Sequence, residues 1–155
     1  MPFSYPPHKS TIAGADANVI AWIPYIASFV LSLFPVVRYF AWAAPMIFFF
    51  LERESALVRY HAVQAFVLGI SISIINAVLD LLRMIFQIPL LFTGNFFATI
   101  SSALISLPLG LVSFAAGILF FVFSVKSIIS AHRYQENTIP FISFAADKIR
   151  GFFGK

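Results

Sequence analysis

A chain of 155 residues that is 61% hydrophobic and only 10% charged cannot clothe a soluble domain in polar surface. Mean hydropathy is +0.95. The absence of cysteine excludes disulfides, thiolate metal ligands and a thiol nucleophile. The net charge of +4 is scattered between apolar runs, so it is not a nucleic-acid footprint. The composition points to an all-α integral membrane protein, and the expected fold is a bundle of four transmembrane helices with a C-terminal amphipathic helix in the membrane interface.

In chain order, residues 1–16 form a flexible N-terminal segment without the basic and apolar regions of a secretory signal, so the first span is expected to be retained. The membrane domain occupies residues 17–134. Its first apolar run is Asn18 to Phe34, with Asp16 as N-cap. Apolar character continues to Leu51, too far for one crossing of a hydrocarbon core about 30 Å thick. A hairpin near Pro35 is therefore expected, with a short second span from Pro35 to Leu51 whose Arg38 snorkels toward headgroups.

A third helix is expected from about Leu57 to Leu82. Ala62, Ala65, Gly69, Ser73, Asn76, Asp80 and Arg83 recur on one of its faces at helical spacing. Met84 to Phe92 reads as an interfacial or re-entrant connection leading to a turn at Thr93-Gly94-Asn95. The last apolar run is also too long for one crossing, and Pro108 with Gly110 offers a break. The fourth span is placed at Ile105 to Ile128, after a short surface helix. Its small-residue stripe, which includes Gly110 and Gly117, is expected to face that of the third helix.

Residues 135–155 form the amphipathic segment. Pro140 opens a helix with Phe141, Phe144, Ala145, Ile149 and Phe152 on one stripe, and Lys148, Arg150 and Lys155 lie near anionic headgroups. With four spans, eight basic residues fall on one side and only Arg38 and Arg83 on the other. The positive-inside rule then gives a multi-pass protein of the cell inner (plasma) membrane with both termini cytoplasmic.

Chemistry is sparse. No activated nucleophile, phosphate loop or paired catalytic carboxylates can be read, so no catalytic, cofactor-binding or metal-binding residue is assigned and no cofactor is expected. Two polar groupings stand out. Arg59, Tyr60, His61 and Gln64 mark the start of the third helix; Arg59, His61 and Gln64 are expected to fasten it to the loop before the C-terminal helix, with Glu136 pairing with Arg59. Asn76, Asp80 and Arg83 lie at the other membrane face, where Asp80 and Arg83 are spaced to form an ion pair.

The string ALVRYHAVQAFVLGI, with Arg59, Tyr60, His61, Ala62, Gln64 and Ala65, resembles the bacterial four-helix membrane proteins related to the twenty-kilodalton Tic subunit of chloroplast inner-envelope protein import. The ending AHRYQENTIPFISFAADKI is similar to that family's polar turn, Ile-Pro step and terminal helix. The resemblance implies a non-catalytic subunit or scaffold of a transport or translocation assembly. Its partners would be the lipid bilayer and other membrane proteins or further copies of itself, with no nucleic acid. The N-terminus lacks the look of a transit peptide, which favours a bacterial member. The alternative is a small homo-oligomeric channel or transporter.

Overall fold

The computed structural model of the chain describes residues 3–92, 96–139 and 142–153. Among these are five α-helices and a single 3-10 turn, with no β-strand: α1 (Ala17–Ser32), the 3-10 turn Val37–Tyr39, α2 (Ala43–Leu51), α3 (Ala56–Leu91), α4 (Phe96–His132) and α5 (Ile142–Phe153). The expected turn at Thr93-Gly94-Asn95, the Pro140 step, Phe141 and Lys155 lie outside the described residues. So do the side chains of Asp147, Ile149, Arg150 and Phe152.

Four separate spans are not what forms. Two helices, α3 and α4, are long and apolar enough to cross a membrane. α1, at 16 residues, is about 24 Å long. The stretch expected as a second span is instead a 3-10 turn followed by the nine-residue α2, about 13 Å long, which cannot cross alone. The chain does reverse where Pro35 predicts. α1 stops at Ser32 because Phe34, as the residue before proline, is disfavoured in the helical region. The return path then packs on α1 and α3, with Ser28 Oγ donating to the Ala41 carbonyl at 3.2 Å.

The other two expected breaks also fail to appear. α3 runs on through Leu82 to Leu91, so the connection expected at Met84 to Phe92 is mostly helix. α4 is continuous through Pro108. A proline removes one helical hydrogen bond, and unwinding an apolar helix further would free more backbone polar groups than the proline already does.

α3 and α4 are antiparallel and joined by polar contacts at two levels. Ser113 Oγ donates to Asn76 Oδ1 at 2.8 Å, and Gln87 Nε2 donates to Ser106 Oγ. The small-residue stripes meet at Asn76 and Ser113 but not along their whole length. A Cβ on Gly69 would lie 3.0 Å from Trp42 Cα, so this glycine admits the strand of chain before α2, whereas a Cβ on Gly117 would meet nothing within 4 Å. The α3 stripe accommodates the returning hairpin because only Gly69 lets backbone come so close.

Burial is concentrated at one end. Leu57, Val58, Ala17, Ile20, Ala21 and Ala131 form one core cluster, and Phe49, Val63, Val67, Ile139 and Ile142 are central to a second. Toward the α3–α4 tip, Phe92, Phe96, Phe97 and Leu104 are at least 70% exposed. Bare aromatic surface on that scale belongs in lipid or against a partner. α5 packs on α3 through Ile142 and Ala145, with Phe144 outward and exposed. The first turn sets this rotation, because Ser143 Oγ accepts the Ile139 amide at 2.7 Å and donates to the Asn137 carbonyl at 3.3 Å.

Candidate functional site

Two polar levels bracket the bundle. At a rise of about 1.5 Å per residue, His61 and Asp80 are about 28 Å apart along α3, close to the thickness of a bilayer's hydrocarbon core.

The first level is assembled by the end of α4. Tyr134 adopts a left-handed conformation (φ 57) just past the helix. The Gln135 amide reaches back to the Ser130 carbonyl at 2.9 Å, a six-to-one closure that ends α4 and turns the chain toward α3. The Tyr5 amide holds the Tyr134 carbonyl at 2.8 Å, so the segment before α1 is tied down here. The reversal aims two carbonyls at α3. The Gln135 carbonyl lies 3.1 Å from His61 Nε2, and the Asn137 carbonyl accepts Tyr60 Oη at 2.7 Å and Gln64 Nε2 at 2.8 Å. From the other side Tyr25 Oη donates to Gln64 Oε1 at 2.9 Å and lies 3.1 Å from His61 Nδ1. Tyr60, His61 and Gln64 are thus brought together, buried, with their polar atoms engaged. Arg59 is not part of this cluster. Its guanidinium stacks on the Phe49 ring at 4.7 Å, while Glu136 accepts Tyr5 Oη at 2.6 Å, so the expected Arg59–Glu136 pair does not form. Tyr5 reaches Glu136 from the N-terminal segment, a contact no local spacing announces.

Beside this level the loop before α3 is clamped by Glu52, which is only 2% exposed. Its carboxylate accepts the hydroxyls of Ser10 and Thr11 and the amides of Thr11, Glu54 and Ser55. Burial works against the ionised form, but these donors outweigh it and hold the carboxyl at about 2. Ser55 in turn caps α3, its Oγ accepting the Val58 amide at 3.3 Å.

The second level holds the residues expected at the far face, with an addition. Asp80 accepts Arg83 Nη1 at 2.6 Å, as the spacing predicts. Its other oxygen accepts Arg38 Nη2 at 2.5 Å and Tyr39 Oη at 2.6 Å. Arg38 does not snorkel alone; the 3-10 turn delivers it to Asp80. An arginine stranded in an apolar run and an aspartate in another were the signal for this pairing, since isolated charges at membrane depth require a partner. Tyr25, Glu52 and Asn137 carried no comparable signal. Asn76 lies one turn above Asp80 on its bond to Ser113, and Gly110 lies beside Arg83.

Between the levels is a cavity of about 110 Å³, lined in part by Tyr25, Arg38, Ser73 and Ser124. It shares Phe29, Gly117 and Phe121 with a wider lateral groove of about 660 Å³ between α1 and α4. Among the described residues, no three His, Asp or Glu side chains come together as a metal site. The arrangement is one that fastens helices at two levels and gathers two arginines on one carboxylate at the second.

The sequence model of a magnetosome magnetite crystal formation protein family, MamF/MmsF, matches residues 16–145. No curated protein and no solved structure matches the chain. The match overturns the resemblance to the Tic-related family. The two strings that suggested it are the ones that meet at the first polar level, where His61 and Gln64 bind the carbonyls of Gln135 and Asn137. They describe a way of fastening a helix start to a C-terminal loop, a packing solution that does not by itself mark descent.

Proposed function

The chain belongs to the magnetosome magnetite crystal formation protein family, and from that membership we propose that it is a non-catalytic membrane scaffold acting in magnetite crystal formation. The observation that carries the reading is the family match across most of the chain, on a fold with two helices long and apolar enough to cross a membrane. In this reading α3 and α4 span the bilayer, and α1 with the return path through α2 forms a second hairpin packed against them. Lys9, Arg53, Arg59, Lys126 and Arg133 all lie toward the His61 end, and the positive-inside rule supports a cytoplasmic orientation for that end. Arg38, Asp80 and Arg83 then face the opposite side of the membrane.

Deleting the gene in a magnetite-forming bacterium and restoring it in trans tests the reading. Electron microscopy is expected to show altered crystal dimensions in the deletion and recovery on complementation, with the tagged protein in the membrane that encloses the crystals. Unchanged crystals, or a protein absent from that membrane, would refute it. Reporters inserted in Glu52–Ser55 and between residues 92 and 96 should answer from opposite sides.

A further inference from the structure

We infer that the lateral groove between α1 and α4 is a binding site for one anionic phospholipid, its phosphate held at Arg83 and one acyl chain laid along the helices. The inference rests on the membrane reading above but is independent of any role in crystal formation.

Charge comes first. Arg38 and Arg83 share a single carboxylate, so the second level carries one positive charge in excess. Asp80 engages Arg83 through Nη1, while Nη2 lies 4.0 Å from the point a Cβ on Gly110 would occupy, at the lip of the groove. An unneutralised guanidinium at the edge of the hydrocarbon is stabilised by an anion with several acceptor oxygens, and phosphate is the form that membranes supply there.

Shape decides what bears the phosphate. From the lip the groove runs toward the first polar level between Leu33, just past α1, and Phe114 and Ile118 on α4, all of them exposed. Gly117 forms its floor, with open space where a side chain would stand. Phe29 and Phe121, with ring centroids 6.0 Å apart, stand at its inner end. Gly110 to Phe121 is about 16 Å along α4, room for most of one acyl chain. Apolar walls of this length contribute nothing to a free inorganic anion. They bury a hydrocarbon chain continuous with the headgroup.

Depth agrees with both. Arg83 lies about 28 Å along α3 from Gln64, so the headgroup would sit where headgroups of the far leaflet sit, and the chain would point toward the bilayer centre.

Native mass spectrometry of the full chain, purified and delipidated in detergent, tests the site with dioleoyl phosphatidylglycerol against dioleoyl phosphatidylcholine. The expected result is one tightly retained phosphatidylglycerol per chain and at least a fivefold preference over phosphatidylcholine, the scale set by one basic residue near anionic lipid. Arg83→Gln should erase that preference and Arg83→Lys should keep most of it. Gly117→Leu should weaken retention of both lipids by filling the floor, with its melting temperature unchanged. Equal retention of the two lipids by the wild type, or an undiminished preference in Arg83→Gln, would overturn the proposal. Displacement of phosphatidylglycerol by millimolar inorganic phosphate would overturn it too, in favour of a free anion. Should Arg83→Gln fail to fold, Phe114→Trp with Arg83 intact still decides. Its fluorescence should be quenched by brominated-chain phosphatidylglycerol, saturating at one lipid per chain, and absence of saturable quenching would refute the site.

Discussion

Replacing Glu52 by Gln should loosen the clamp in front of α3 in a way that depends on pH. The carboxylate receives two hydroxyls and three amides while only 2% exposed, and its pKa falls from 4.5 to about 2. At about 1.4 kcal/mol per pH unit, ionisation stabilises the closed clamp by roughly 3 kcal/mol. Because the folded pKa is depressed, that contribution is fully present above pH 4.5 and disappears as pH falls toward 2. Gln keeps one acceptor oxygen but carries no charge, so the variant should lack the contribution at every pH. Hydrogen exchange of the Thr11, Glu54 and Ser55 amides, corrected for intrinsic rates, reads the opening directly. Near neutral pH the variant should exchange about a hundredfold faster, and the gap should shrink to a fewfold near pH 2. No gap at pH 7 would refute the clamp. A gap of constant size from pH 7 to pH 2.5 would show that shape rather than charge holds it.

Gly69→Leu should lower stability by about 1–3 kcal/mol, since even its Cβ would lie 3.0 Å from Trp42 Cα, whereas Gly117→Ala should leave the detergent melting temperature unchanged. Asp80→Asn leaves Arg38 and Arg83 without their shared counter-charge and should destabilise the bundle by about 2 kcal/mol, discounted from a fully buried pair because these side chains are partly exposed; thermal unfolding in detergent measures it. His61→Ala removes the contacts to the Gln135 carbonyl and Tyr25 Oη, and exchange at Gln135–Asn137 should rise by about tenfold, the scale of one to two hydrogen bonds. Protection there that is indifferent to the substitution would mean Tyr60 and Gln64 hold the loop by themselves.

Much of the architecture was legible in the residues because apolar length and helical period are local properties. Uninterrupted apolar runs marked α3 and α4, Pro35 marked the reversal after α1, and the three-residue step from Asp80 to Arg83 marked an ion pair that forms. Local rules also misled where tertiary surroundings outweigh them. Pro108 disfavours a helix in isolation, yet α4 continues through it because unwinding in an apolar setting would strand more backbone groups than the proline already does. The second apolar run was long enough to suggest a span, but its return path is divided between a 3-10 turn and a nine-residue helix. Only the folded chain decides that Arg38 meets Asp80, that Tyr5 takes the Glu136 expected for Arg59, that Gly69 receives Trp42 rather than α4, and that Gly117 faces an open groove. Each of those pairings joins residues far apart in sequence. Periodicity records which face of a helix a residue occupies, whereas which element covers that face depends on how all the helices share the limited apolar surface at once.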